Sequence, residues 1–149
     1  FMQNLFNVAG TLRDQSQFYM PMGEGEVGIV DAADVADMVL AIMASDAHAN
    51  LVYELSGPEL LSFKQSAEIL TRELGREIKY IDIPNQSFKD AMLGAGVGPW
   101  HVDAVAELFA LTKLGSSAFL SPSFEAVVGR RPTLLSEFVE ANRSAFSSD

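Results

Sequence analysis

Between Val27 and Ile83, three short runs suited to β-strands are separated by two segments of helical periodicity, which restricts the chain to an α/β arrangement rather than a bundle or sandwich. The runs are Val27-Gly28-Ile29-Val30, Leu51-Val52-Tyr53-Glu54-Leu55 and Glu77-Ile78-Lys79-Tyr80-Ile81-Asp82-Ile83, the last stopped by Pro84. After the first, Asp34 is placed to cap a helix in which Val35, Met38, Val39, Ile42 and Met43 recur at helical spacing and should bury one face. Asp37 then sits at N3, where a carboxylate favours the positive end of the helix dipole, so the Asp31/Asp34/Asp37 trio reads as capping before catalysis. After the second, Ser62-Phe63-Lys64-Gln65 is a capping box for a helix with Phe63, Ala67, Leu70 and Leu74 on one side, ended by Gly75.

Ahead of the first run, Gly23-Glu24-Gly25-Glu26-Val27-Gly28 spells G-x-G-x-x-G, the pattern of a dinucleotide-binding turn. That turn works when a strand precedes it and a helix opens behind it, so that backbone N–H groups and the helix N-terminus receive a pyrophosphate. Here the order is reversed: Gln17–Met22 ends in a proline turn and a strand follows. Two glutamates also stand where a phosphate would sit. The motif therefore reads as a glycine turn leading into a strand.

The opening Phe1–Val8 is amphipathic enough for a helix but begins without a cap or a lead-in element, so a segment ahead of it is expected. Beyond Pro84 the spacing predicts helices and no strand. One spans about Ser87 to Ala95, running into Gly94-Ala95-Gly96-Val97-Gly98-Pro99; another spans about Trp100 to Leu114 with Val102, Val105, Ala106 and Phe109 on one face. A short turn of helix starts at Ser121-Pro122 and ends at Gly129, Thr133 caps a last helix, and Ser147-Ser148-Asp149 should fray. Residues 1–84 thus form an α/β part and 85–149 a helical part of one unit.

With 20 acidic against 10 basic side chains, a formal charge of −10 opposes non-specific binding to nucleic acid or to an anionic membrane. The cations are scattered; only Arg130-Arg131 adjoin, and with Arg143 they read as a solvated turn rather than an anion site. No apolar run approaches the ~20 residues of a membrane span, and there are no cysteines, so a cytoplasmic setting is expected. His48 and His101 lack metal-ligand spacing, and no metal is expected. The three tyrosines are followed four residues later by Gly23, Gly57 and Pro84, so no Tyr-x-x-x-Lys proton-transfer couple can form, and no G-x-S-x-G elbow occurs. Trp100 opens a helix after a glycine-proline break, where an aromatic lines a pocket or, the favoured reading, plugs a gap. Phe1, Met2 and Asn4 make a mixed apolar and amide edge that could face a ligand or cap a core.

Three segments taken in order resemble the C-terminal half of the NmrA-like, atypical short-chain dehydrogenase/reductase family, near its NAD(P)H:quinone oxidoreductase-like branch. Phe1-Met2-Gln3-Asn4-Leu5 is similar to its F-M-x-N-L helix start. Gly28–Ala36 and Tyr53-Glu54-Leu55-Ser56-Gly57-Pro58-Glu59 resemble its V-D-x-x-D-[IV]-A and Y-x-L-[ST]-G-P-E segments. Gly129-Arg130-Arg131-Pro132-Thr133 followed by Phe138 is similar to its G-R-x-P-x-[ST]-x-x-x-F segment near the end of such chains. The resemblance implies a partial NAD(P)-binding Rossmann-type fold of two or three strands and five to six helices, mostly helical toward its C-terminus. It implies NADP or NAD in the complete family protein, none bound by this chain alone, and no catalytic residue that can be named here. Phe1 and Asn4 match the helix bordering the cofactor, and Trp100 lies in the region shaping the substrate side. The expected partners are a complementing Rossmann half or a second copy in a homo-oligomer, and a quinone-like small molecule. The alternative is a non-enzymatic module that self-associates or binds a partner through the surface such a half would cover.

Overall fold

The computed structural model describes residues 1–147, so of the three residues expected to fray Ser148 and Asp149 lie outside the described residues. Met2–Val8 forms a 3-10 helix that runs into α1 (Ala9–Gln15), and Ser16, in the left-handed region at φ 55°, turns the chain into β1 (Gln17–Met20). β1 lies parallel to β4 (Lys79–Asp82), with Gln17 opposite Lys79 and Met20 opposite Asp82. A second, two-residue pair joins β2 (Glu26–Val27) antiparallel to β3 (Leu61–Ser62). The fold is α/β. Its four strands all precede Pro84 among the described residues, and eight α-helices accompany them because short breaks divide several helical stretches.

β1 is absent from the sequence reading because Gln-Phe-Tyr-Met has no β-branched residue; it is a strand because β4 pairs with it. Conversely, Leu51–Leu55 has strand composition but is no strand: it finds no ladder partner, and Val52 is 93% exposed. Between these segments runs α2 (Ala32–Met43), whose N-cap is Asp31 and not Asp34. The extended Asp31 accepts a bond from the Ala33 N–H at 2.9 Å. The expected buried face of α2 is also narrower than its periodicity suggests. Met38 is buried, whereas Val39 and Met43 are largely exposed, since the helix packs chiefly on the six-residue α6 (Ser123–Val128).

α3 (Phe63–Leu74) begins at its capping box, Ser62 Oγ accepting from Gln65 N–H at 3.2 Å and Gln65 Oε1 from Ser62 N–H at 2.8 Å, and ends at Gly75 with φ +71°. Its Ala67 and Leu70 join Met2, Leu5, Leu12, Phe18 and Ile78 in a core closed by Leu135, Phe138 and Val139 of α7 (Leu135–Ala141) and Phe146 of α8 (Arg143–Phe146). Thr133 does not cap α7; Glu137 accepts the Leu134 N–H at 2.9 Å, and Thr133 turns elsewhere. The remaining pair, α4 (Asn85–Gly94) and α5 (Pro99–Lys113), packs through Phe88 on Phe109, ring centroids 5.1 Å apart, and the Lys89–Asp103 ion pair at 2.8 Å.

Candidate functional site

A cavity of about 230 Å³ opens where β1 ends, between the first helix and α5. The carboxyl ends of parallel strands are where open α/β sheets place ligands, because the connecting segments diverge there. It is lined by Met20 and Met22 from the end of β1 and the turn after it, by Phe1, Asn4 and Leu5 at the chain's start, and by Leu108, Phe109 and Thr112 of α5. No lining side chain is ionisable. The lining hydroxyls are committed: Ser66 donates to Ser62 O at 3.0 Å, and Thr112 Oγ1 donates to Leu108 O at 3.0 Å and pairs with Ser117 Oγ at 2.9 Å. Asn4 is exposed, and among the described residues its side-chain amide has no hydrogen-bond partner. An apolar wall carrying one free amide suits a flat, largely uncharged ring system with a carbonyl or carboxamide at its edge.

The structure thus brings Phe1 and Asn4 together at this cavity, with Phe1 61% exposed at its margin. It does not bring Trp100 there. Trp100 stands in the first turn of α5 with 82% of its surface exposed, so it plugs no gap. Sequence reasoning missed Met20, Met22, Phe109 and Thr112. Each has the apolar or neutral character of any core residue, and only the tertiary fold gathers them from segments some ninety residues apart.

The glycines of the G-x-G-x-x-G segment are occupied by packing. A Cβ on Gly25 would lie 2.7 Å from Thr112 O, and one on Gly28 would lie 2.9 Å from Phe119 O. Gly23, at φ +52°, donates its N–H to Asp82 Oδ1 at 2.9 Å. The space a phosphate would need against these glycines is filled by protein, so the turn does not fit a pyrophosphate. Desolvation works against ionisation of Asp82, but the Gly23 N–H and the Lys113 ammonium, 3.3 Å away, together hold its carboxyl below the usual carboxylate range. Tyr80 OH donates to Met20 O at 3.0 Å and accepts from Met22 N–H at 3.2 Å. Burial, with Asp82 adding to it, pushes its phenol up to about 12. These bonds fix the exit of β1, and hence Met20 and Met22.

The aspartates and arginines form a second cluster, away from the cavity. Asp34 is fully buried and accepts from Thr133 N–H at 2.7 Å, Thr133 Oγ1 at 3.1 Å and Arg130 Nη2 at 2.8 Å. Arg130 also bonds Asp37 at 2.6 Å and lies over the Phe124 ring at 4.8 Å. Arg131 grips Glu137 through both terminal nitrogens, and its hydrogen bonds, with the Leu134 N–H, draw that carboxyl down to about 2. Arg143 donates to Glu73 O. All three arginines are engaged within the chain: Arg130 joins α2 to the turn before α7, Arg131 ties that turn to α7, and Arg143 ties α8 to the end of α3.

Comparison with known proteins places this geometry. A sequence profile of the NmrA-like family matches residues 1–130. The NAD(P)H azoreductase of Xenophilus azovorans is 35% identical over 148 residues, covering 99% of this chain and 52% of that protein. An uncharacterized oxidoreductase of Bacillus subtilis is 27% identical, with 99% and 52% covered. Among solved structures, an NADPH-dependent quinone oxidoreductase from Escherichia coli superposes with a TM-score of 0.85 at 22% identity, covering 96% of this chain and 52% of its own. The triphenylmethane reductase of Citrobacter sp., complexed with NADP(H), gives 0.83 at 18%, covering 95% and 50%. These structures share the fold. The chain spans about half the length of the curated relatives it matches.

Proposed function

From the chain's membership of the NmrA-like family, we propose that it is the substrate-side portion of an NAD(P)H-dependent oxidoreductase, completed by a dinucleotide-binding half. The observation that carries this is the cavity: apolar, placed at the carboxyl end of β1, and holding one uncommitted amide. The glycine turn offers the phosphates no place, which supports their being held by the other half. The nicotinamide end does fit, with Asn4 able to bond its carboxamide and the exposed Phe1 ring able to pack on it. When bound, a reduced nicotinamide supplies a hydride. The chain's own work is to exclude water through Met20, Met22 and Phe109 and to hold a flat, quinone-like acceptor between α5 and the first helix. No side chain lining the cavity from this chain is ionisable, so a proton needed by the reduced acceptor would come from solvent or from the completing half.

The test uses a fusion that sets the unmatched half of the Xenophilus azovorans azoreductase ahead of Phe1. The chain alone should show no saturable change in NADPH or NADH fluorescence, while the fusion should oxidise NADPH with a benzoquinone as acceptor. Asn4→Ala in the fusion should raise the KM for NADPH. Tight NADPH binding by the chain alone, or a folded fusion without NADPH-dependent reduction, would refute the reading.

A further inference from the structure

We propose that the Thr112–Ser117 hydroxyl pair is the oxygen anchor of the cavity, holding an acceptor by its carbonyl oxygen and, after reduction, by the hydroxyl that replaces it; the inference rests on the reading of the cavity as the acceptor's site. The pair is built locally. Gly115, at φ +87°, donates its N–H to Thr112 O at 2.9 Å, and Ser116 N–H reaches Leu111 O at 3.2 Å, the two bonds of a glycine-ended helix. This reversal folds the chain back on the last turn of α5. It sets Ser117 Oγ 2.9 Å from Thr112 Oγ1, and both residues line the cavity.

A hydroxyl carries one proton and two lone pairs, so the pair has two protons to place. With Thr112 Oγ1 donating to Leu108 O at 3.0 Å, the bond between the hydroxyls uses the Ser117 proton, and the Ser117 lone pairs are left to accept from a ligand hydroxyl. With both hydroxyls rotated, Thr112 donates to Ser117 Oγ and the Ser117 proton is released for a ligand carbonyl. Leu108 O is not orphaned in that second state. It lies within α5, where each carbonyl accepts from the N–H four positions on, here that of Thr112 itself. The exchange moves no backbone and strands no buried group. An acceptor that gains a hydride and a proton turns a carbonyl into a hydroxyl, so its oxygen changes from acceptor to donor. A lone hydroxyl accepting from that product would leave its own proton without a partner in an apolar wall. The pair satisfies every proton in both states. Ser66, the other serine of the lining, is bonded to no second hydroxyl among the described residues, and its proton stays on Ser62 O.

Titrations of the chain with three flat probes test this: naphthoquinone, which only accepts, naphthol, which donates through its hydroxyl, and naphthalene, which does neither. Binding is read from the methyl resonances of Met20 and Met22 in the same cavity. Ser117→Ala should weaken naphthoquinone and naphthol by about 3–10-fold each, the loss of one hydrogen bond, and leave naphthalene within about 2-fold. Thr112→Val should split the first two: Ser117 still gives its proton to naphthoquinone, which should hold within about 2-fold, while naphthol should weaken by about 3–10-fold. Movement of all three probes together under Thr112→Val would mark Thr112 as merely structural and overturn the pair. Unchanged affinities under Ser117→Ala, with the methyls still shifting, would overturn the anchor and leave the functional reading. No methyl shift with any probe would sink that reading and the anchor with it. If Ser117→Ala does not fold, intermolecular NOEs in the unsubstituted chain decide. They are expected from bound naphthol to the Ser117 β-protons and the Thr112 methyl, and their absence while the Met20 and Met22 methyls shift overturns the anchor.

Discussion

Replacing Asp34 by alanine separates a buried clasp from a helix cap. The carboxylate is fully buried and accepts three bonds, two from Thr133 and one from Arg130. Its loss strands the Thr133 N–H, a cost of about 1–3 kcal/mol for an unsatisfied donor. Arg130 loses less, because its side chain is 45% exposed and keeps Asp37 at 2.6 Å, so its share is about 0–1 kcal/mol after solvent screening. The sum is about 1–4 kcal/mol, and at roughly 2–4 °C per kcal/mol for a chain of this size the melting temperature should fall by about 2–16 °C. Asp34→Asn should cost nearly as much, since an amide turns donors toward donors. Asp37→Asn should cost below about 1 kcal/mol, because that carboxylate is 48% exposed. Urea unfolding followed by circular dichroism at constant m-value measures each, and a double-mutant cycle with Thr133→Val isolates the Asp34–Thr133 share. If Asp34→Ala falls within about 0.5 kcal/mol of Asp37→Asn, the clasp is no more than a surface cap and the reasoning fails.

Three other outcomes follow from the geometry. A Cβ on Gly57 would lie 1.9 Å from Ile29 O, a backbone atom that no rotamer change can move, so Gly57→Ala should destabilise by about 3 kcal/mol or more; Gly10→Ala, with nothing within 4 Å on α1, should stabilise by up to about 1 kcal/mol, and thermal melts compare them. In a spectrophotometric titration the Tyr80 phenolate should appear only near pH 12, and Tyr80→Phe should remove that late step. Its folded pKa is raised above the ordinary 10, so the stability it contributes is complete below pH 10 and is lost as pH rises toward 12; a phenolate step at pH 10 would contradict the burial. Trp100 fluorescence should be quenched by iodide as freely as an exposed indole, and a quinone bound in the cavity should leave that accessibility unchanged, whereas protection by the ligand would bring Trp100 into the substrate site.

Features legible in the sequence were those whose physics closes within about four residues. The Ser62/Gln65 box and the glycine ends at Gly75 and Gly129 are local bonds and local dihedrals, and the chain adopts them as read. Asp31 and Asp34 are both good caps by type; which of them caps α2 depends on Arg130 and Thr133, nearly a hundred positions away. The same holds for strands. Leu51–Leu55 has the propensity and no partner, whereas Gln17–Met20 has the partner without a β-branched residue to announce it. At the site, the family resemblance pointed to Phe1 and Asn4, which do meet the cavity, while the methionines and Thr112 carried no signal that distinguishes a wall from a core.

The glycine turn shapes the site without holding a ligand. Because Gly25 and Gly28 lack side chains, the end of α5 and the segment after it approach the turn to within contact of Thr112 O and Phe119 O. Thr112 and Ser117, bonded to each other at 2.9 Å, line the cavity from that same stretch. The spacing that reads as a phosphate motif is therefore a close-packing requirement, and it sets how near α5 stands to Met20 and Met22. A pyrophosphate at this turn would need glycines that are free of protein, and Gly23, Gly25 and Gly28 are not.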